Sequence, residues 1–146
     1  MTKSFEPALA NKYEEEIDRS KILIQKSVIS ALAQNMQTTI RPIEMHYTLQ
    51  IAIELERIVD YIILLNNSDK DYLEEIHGLI EVIKTRLEQI DQLDYLTAAA
   101  LVNKVNSLTE FKIVNVKNSN KSRIKRHFQN LSEIMMDWAI TKKIED

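Results

Sequence analysis

A chain of 146 residues is long enough to bury one continuous core without disulfides or metal ions to hold it together. It contains no cysteine, which excludes disulfides, thiolate metal sites and cysteine nucleophiles, so a metal ion would have to be held by carboxylates or histidines. Its 19 basic and 22 acidic residues leave a formal net charge of −3, too balanced to indicate a nucleic-acid-binding protein.

The composition is typical of an all-α protein, since the chain has one glycine and two prolines and is rich in good helix formers. The first helix is predicted at residues 7–36, where apolar residues recur at helical spacing. That stripe consists of Leu9, Tyr13, Ile17, Ile24, Val28 and Leu32. A second helix is predicted from about residue 42 to 65, because Pro42 permits a new helix start, and residues 66–69 are turn and cap residues.

The second half of the chain continues the helical pattern. A third helix is predicted from the spacing of Tyr72, Ile76, Leu79, Ile83, Leu87 and Ile90. Asp94 is a candidate N-cap for a fourth helix, on which Leu101, Val105 and Leu108 share a face. The segment NVKNSNKS (115–122) interrupts the pattern before a final helix with a seam of Ile124, Phe128, Leu131, Met135 and Trp138. The sequence therefore predicts one domain, 1–146, folded as an antiparallel bundle of about five helices.

The second predicted helix carries two carboxylates in apolar surroundings. Its core seam is predicted to be Ile51, Leu55, Ile58, Ile62 and Leu65. Glu56 and Asp60 lie nearly opposite that seam, whereas the polar stripe of the helix lies elsewhere. That stripe consists of His46, Gln50, Glu54, Arg57 and Tyr61. An ionised carboxylate among apolar side chains has to reach water, a cation or a hydrogen-bond donor, or take up a proton, and a hard cation with oxygen ligands is one solution.

Two more acidic pairs have the same four-residue spacing. Glu14 and Asp18 lie on the first predicted helix, and Glu133 and Asp137 lie on the last. Each pair places two carboxylates on one helix face, for which a solvated surface is the ordinary explanation. The apolar neighbours of Glu56 and Asp60, which are Leu49, Ile53, Val59 and Ile63, set that pair apart.

The segment ELERIVDY (54–61) resembles the LERIGD signature of the PhoU-like phosphate-uptake regulators, a family that includes PhoU-like domains of sodium–phosphate cotransporters; here Val59 replaces the glycine. The segment FEPALANKYEEEIDRSKILI (5–24) is similar to the preceding helix of that family. The resemblance implies that acidic pairs on adjacent helices bind a divalent or trivalent metal ion. The implied ligands are Glu14, Asp18, Glu56 and Asp60.

The resemblance also implies a degenerate internal repeat, covering 7–66 and 69–142. SEIMMDWA (132–139) aligns with LERIVDYI (55–62), which adds Glu133 and Asp137 to the implied metal ligands. The family has two three-helix repeats, so the resemblance implies that a helix is missing at the N-terminus and that a partner chain supplies it. Asn103 and Asn106 stand where the second repeat would carry another acidic pair, so a full second metal cluster is not expected.

What the resemblance implies about function is a non-enzymatic regulator of phosphate transport or phosphate signalling. Such a regulator acts through protein–protein contacts with a phosphate transporter component or a sensor kinase. A homo-oligomer and peripheral association with a membrane are further expectations, and a nucleic-acid partner is not expected. We expect a cytoplasmic location, because the N-terminal segment lacks the apolar core of a signal peptide and no apolar run is long enough to span a bilayer.

Two other functional classes fit parts of the pattern. In a helical oligomerisation or interaction module without metal, the apolar second face of helix two would pack on another chain, with its carboxylates paired to Arg or Lys. A carboxylate-bridged metal oxidoreductase is disfavoured because the sequence has no Glu-x-x-His pairs. No nucleophile elbow, P-loop, dinucleotide fingerprint or deaminase motif is present, so an enzyme is not expected.

The single basic cluster consists of Lys117, Lys121, Arg123, Lys125, Arg126 and His127. A solvated helix start is the favoured interpretation, while an acidic partner, a phosphate group or an anionic membrane surface remain alternatives. The three histidines, His46, His77 and His127, are scattered and predict ordinary core or polar-face positions.

Overall fold

The computed structural model describes residues 7–34 and 39–145, which form α-helices, two short 3-10 helices and no strand. The α-helices are α1 (Pro7–Ala33), α2 (Pro42–Ile62), α3 (Lys70–Glu88), α4 (Tyr95–Asn106) and α5 (Val116–Glu145). The 3-10 helices are Asn67–Asp69 and Ile90–Gln92. The predicted all-α fold of five helices is confirmed, while the predicted end of helix one at residue 36 lies outside the described residues. In the described part of the chain, no helix has the length and apolarity to cross a membrane.

The core is built around α5, which packs most extensively against α2 and then against α4. Every residue of the predicted α5 seam is buried, and Phe128, Leu131 and Met135 are completely inaccessible to solvent. The apolar stripes predicted for α3 and α4 supply further core residues. These are Tyr72, Ile76, Leu79 and Ile83 from α3, and Leu101 and Val105 from α4, with Leu108 just beyond the end of α4. Ile51 and Ile58 of α2 belong to the same cluster, so one continuous core holds α2 to α5 together.

Local capping fixes where the shorter helices begin. The Asp94 side chain accepts a hydrogen bond from the backbone N–H of Thr97 at 2.8 Å, as predicted for the N-cap of α4. The Asn66 side chain accepts one from Ser68 N–H at 3.0 Å and starts the 3-10 helix before α3. These side chains satisfy backbone donors that a helix start leaves without an intrahelical partner.

The final helix begins earlier than the sequence predicts. We expected residues 115–122 to interrupt the helical pattern, but α5 already begins at Val116. The Asn115 side chain accepts a hydrogen bond from Asn118 N–H at 2.8 Å at this start. Lys117 and Lys121, one helical turn apart, then pair with the buried carboxylate of Asp69 at 3.0 and 2.6 Å. The polar residues of this segment therefore belong to a helix whose lysines pair with Asp69, and the predicted break was wrong.

Glu54 is the second correction, because we placed it on the polar stripe of helix two and it is 8% exposed. Its Oε2 lies 2.7 Å from Nδ1 of His127 on α5, and Asn130 Nδ2 donates to the same oxygen at 3.5 Å. Arg57 lies 3.6 Å from Oε1. A carboxylate with these partners satisfies the rule that buried charges are paired, so Glu54 lies at the contact between α2 and α5 and not on a solvated face.

α1 lies at the edge of the bundle, and among the described residues α2 is the helix against which it packs extensively. Among the described side chains of α1, Val28 is the one apolar residue that is buried, and it lies outside the main core cluster. Tyr13 and Leu32, which belong to the predicted apolar stripe of helix one, are 55% and 51% exposed. The side chain of Leu9 lies outside what the structure describes. The contact with α2 therefore uses a narrower face of α1 than the sequence stripe suggested.

Candidate functional site between the first two helices

The contact between α1 and α2 is a coiled-coil-like seam, here called the α1–α2 seam. On α1 the shielded residues are Glu14, Ile17, Lys21, Ile24, Val28 and Ala31, spaced three and four residues apart. On α2 they are Met45, Leu49, Ala52, Glu56, Val59 and Ile63, with the same alternation. All are buried or half-buried, so the second apolar face predicted for helix two is covered by α1 of the same chain.

Lys21 connects the two helices across the α1–α2 seam. Its Nζ donates to Oε1 of Glu56 at 2.7 Å and lies 3.1 Å from Oδ1 of Asp18. The Lys21 and Glu56 side chains are 22% and 18% exposed, so the pair is partly shielded from water. The hydrogen bond from Lys21 to Glu56, followed by its contact with Asp18, raises the pKa of Lys21 above its ordinary value and keeps the ammonium charged.

Asp60 is the carboxylate under the greatest electrostatic strain in this region. Burial raises its pKa above the ordinary value, and the negative charges of Glu56, Glu14 and Asp18 raise it further, against the lowering effect of Lys21. The charges of Glu14, Asp18 and Glu56 therefore act on Asp60, while the Lys21 ammonium contacts Asp18 and Glu56. We call Glu14, Asp18, Glu56 and Asp60 the acidic cluster. The repulsion within the acidic cluster favours either uptake of a proton by Asp60 or the approach of a further cation.

The third predicted pair is not part of this cluster. Glu133 and Asp137 are exposed on α5, opposite the seam that contains Phe128 and Met135. A carboxylate pair that faces solvent needs no cation, because water screens its charge. Of the six predicted metal ligands, the structure therefore brings four near one another and leaves two on a solvated face.

The oxygen donors of the acidic cluster are the type that hard metal ions prefer, yet the arrangement already contains a cation. The ammonium of Lys21 lies between Asp18 and Glu56, at the distances of charged hydrogen bonds. Within residues 7–34 and 39–145, no group of three or more histidine or acidic side chains is arranged to hold a metal ion. As arranged, these carboxylates are better suited to the Lys21 ammonium than to a metal ion. A metal ion could bind there only if the Lys21 side chain moved away.

The basic cluster of α5 does not form the solvated helix start that we expected. Lys117 and Lys121 pair with Asp69, and Lys125 donates to the carbonyl oxygens of Asn106 and Leu108 at 3.2 and 2.8 Å. Arg123 contacts the Tyr61 hydroxyl at 3.2 Å, and His127 pairs with Glu54. His46 and His77 are exposed. Most of these basic side chains are paired with groups of the protein itself, so they are not available to bind an anion at the surface.

Two features of the site were missed by the sequence reasoning. The contact of Lys21 with Asp18 could have been found, since the two residues lie three positions apart on one helix, but the hydrogen bond of Lys21 to Glu56 on α2 could not. The pairing of Glu54 with His127 could not, because the two residues are 73 positions apart in the sequence. Its geometry depends on how α2 packs against α5.

The fold and site define an all-helical bundle in which a peripheral helix packs on α2 through a mainly apolar seam that includes the Lys21–Glu56 pair. Comparison with protein-family models, with curated proteins and with solved structures finds no match to this chain. Proposals about function therefore rest on the residues and their contacts.

Proposed function

We propose that this chain is a non-enzymatic helical regulator that acts through protein–protein contacts, and that its role is the control of phosphate transport or phosphate signalling. The observation that supports the proposal is the acidic cluster. Two acidic pairs, Glu14 with Asp18 and Glu56 with Asp60, lie on adjacent helices and interact, as the resemblance to PhoU-like regulators implies. The proposed partner is a phosphate transporter component or a sensor kinase.

A second candidate function is a helical interaction module that binds no metal. Lys21 favours the absence of a metal ion, because its ammonium already pairs with Glu56 across the α1–α2 seam. In this chain the pair joins two helices of one molecule. The two candidates differ in whether a metal ion ever replaces the Lys21 ammonium in the acidic cluster.

Metal binding by the Lys21→Gln variant separates these candidates. Removing the ammonium leaves Asp18 and Glu56 without their paired cation and Asp60 without its compensating charge. Coulomb energies at such distances amount to about 1–4 kcal/mol. If the acidic cluster is a metal site, we expect Lys21→Gln to bind Mn²⁺ about tenfold or more tightly than the unsubstituted protein, measured by calorimetric titration after chelator treatment.

The matched control for that titration is Lys26→Gln, an exposed lysine on the same helix but outside the α1–α2 seam. It should leave Mn²⁺ binding unchanged. Adding Glu56→Gln and Asp60→Asn to Lys21→Gln should abolish binding. If none of the proteins binds Mn²⁺ or Fe³⁺, the metal-free interaction module is the better description.

The regulatory role itself is tested in the cells that produce the protein. Deleting its gene should raise phosphate uptake in phosphate-rich medium, because a restraint on the transporter is removed. Uptake of radiolabelled phosphate is the measurement, and the unsubstituted gene should restore the original rate. A gene carrying Glu56→Gln and Asp60→Asn should fail to restore it. Unchanged uptake after deletion would contradict the proposed phosphate role.

A further inference from the structure

A cleft of about 470 Å³ lies between the segment that follows α4 and one face of α5. The segment contributes Thr109, Glu110 and Phe111, and α5 contributes Ser122, Lys125, Arg126 and Gln129. The four residues of α5 stand at positions i, i+3, i+4 and i+7, so they share one side of the helix. Among these lining residues two are basic and one, Glu110, is acidic. The cleft is therefore rich in hydrogen-bond donors and carries a net positive charge.

Arg126 is the basic residue of this cleft that has no acidic partner within the described ranges, 7–34 and 39–145. Its side chain is exposed, and none of its neighbours one turn away on α5 is acidic. These neighbours are Ser122, Arg123, Gln129 and Asn130. The Ser122 hydroxyl makes no hydrogen bond in the same described part of the chain. Two donors that line the cleft are thus left for a ligand.

The third donor, Lys125, is held by a carboxylate that is easily displaced. The Lys125 side chain is 9% exposed, whereas that of Glu110 is 83% exposed. Lys125 Nζ donates to Glu110 Oε1 at 3.0 Å, and the carbonyl oxygens of Asn106 and Leu108 are its other acceptors. A carboxylate so exposed to water loses little when it gives up one ion pair. The oxygen of a bound anion could therefore take the place of Glu110 beside the buried ammonium.

The arrangement of the donors indicates the chemistry of that anion. The Glu110 carboxylate reaches Lys125 but provides no acceptor for Arg126. A phosphate group offers at least three acceptor oxygens in different directions, and a guanidinium binds two of them side by side. The cleft also lies within the range of small-molecule sites, about 300–1,000 Å³, so it has room for more than the phosphate itself.

We propose that this cleft binds a phosphate group, either free or carried by a small molecule. Arg126 and Lys125 neutralise the charge of the phosphate, and the Ser122 hydroxyl donates a further hydrogen bond to it. Glu110 leaves Lys125 when the phosphate binds. The site rests on the residues that line the cleft and does not depend on the proposed role in phosphate regulation.

Amide chemical shifts of the isotope-labelled protein, followed by NMR during titration, test the cleft. Inorganic phosphate and O-phosphoserine are the two probes, each added at constant ionic strength. We expect saturable shifts at residues 109–111 and 122–129. Tighter binding of phosphoserine would show that the rest of the cleft holds the remainder of a small molecule, whereas equal affinities would assign the site to free phosphate.

Two substitutions with matched controls identify the residues that bind. Arg126→Gln should weaken binding about tenfold or more, because it removes the paired donors of the guanidinium. Arg123→Gln removes the same charge from α5, but Arg123 contacts Tyr61 and does not line the cleft, so binding should be unchanged. Glu110→Gln should tighten binding about threefold or more, because the competing carboxylate is gone. Glu88→Gln, at an exposed position on α3, should have no effect.

Three results would overturn the proposal. The first is the absence of saturable shifts at residues 109–111 and 122–129 with either probe. The second is equal weakening by Arg126→Gln and Arg123→Gln, which would show a general attraction between phosphate and the positive charge of α5. The third is weaker binding by Glu110→Gln in a protein whose spectrum shows an intact fold, since the carboxylate would then not compete with the phosphate.

Discussion

Replacing Asp69 with asparagine is expected to lower the free energy of unfolding at neutral pH by about 3–5 kcal/mol, the range for breaking a buried ion pair on one side. Asp69 is 3% exposed and lies 2.6 Å from Lys121 Nζ, which is itself in a buried residue. That ammonium also lies over the rings of Phe111 and Tyr72, at 4.3 and 5.5 Å. Without the carboxylate, Lys121 keeps a buried positive charge compensated mainly by these rings.

The pH dependence of this effect has a defined sign. Burial raises the pKa of Asp69, but the hydrogen bonds from Lys121, Lys117 and the Asn66 N–H outweigh it and hold the pKa below its ordinary value of 3.8. A carboxylate with a lowered folded-state pKa stabilises the fold fully above the ordinary value, and this contribution is lost as pH falls through the folded-state pKa. The stabilities of the unsubstituted protein and Asp69→Asn should therefore converge in strong acid. Urea unfolding at several pH values measures the difference.

A neighbouring exposed carboxylate provides the comparison for Asp69. Glu74 is exposed on α3, and Glu74→Gln should change the free energy of unfolding by less than about 0.5 kcal/mol. If Asp69→Asn were equally mild at pH 7, the ion pair with Lys121 would contribute little and the early start of α5 would need another cause.

A second large loss of stability is expected for Lys125→Met, which should lower the free energy of unfolding by about 2–3 kcal/mol. The Lys125 ammonium donates to the carbonyl oxygens of Asn106 and Leu108 and to Glu110 Oε1, at 3.2, 2.8 and 3.0 Å. α4 ends at Asn106, so the Asn106 carbonyl is one that a helix end leaves without an intrahelical partner, and Leu108 lies two residues beyond that end. Methionine keeps the buried stem of the side chain but removes every donor.

Arg126→Met is the matched control for Lys125→Met, because Arg126 is the next residue along α5 and is exposed. It removes the same charge and should leave the free energy of unfolding nearly unchanged. Both are measured by denaturant unfolding at neutral pH. Equal losses of unfolding free energy for the two variants would mean that removal of a positive charge as such, and not of the contacts with α4, causes the destabilisation.

The parts of this fold that the sequence predicted are those governed by local pattern. The five-residue seam of α5 and the Asp94 cap of α4 follow from spacing and from cap chemistry within four residues. The start of α5 was mispredicted because asparagine, serine and lysine at 115–122 have the composition of a loop. The contact with Asp69, about 50 positions earlier, helps to hold that segment in a helix.

The candidate site was predicted in the same partial way. Spacing and resemblance singled out Glu56 and Asp60 as carboxylates that need a partner, and the structure places α1 beside them. Neither spacing nor composition could identify that partner as Lys21, since this depends on the register between two helices. The burial of Glu54 was missed for the same reason: a helical wheel reports the direction of a side chain but not what lies there.

The peripheral position of α1 has a consequence for the order in which the molecule opens. A helix that shares one seam with α2, outside the continuous core, can separate without exposing Phe128 or Met135. Its amide protons should therefore exchange with solvent by a local opening of lower free energy than the global transition that governs α5. Any macromolecule that lies along α1 should slow this exchange, so deuterium uptake at residues 17–33 reports directly on whether the helix is engaged.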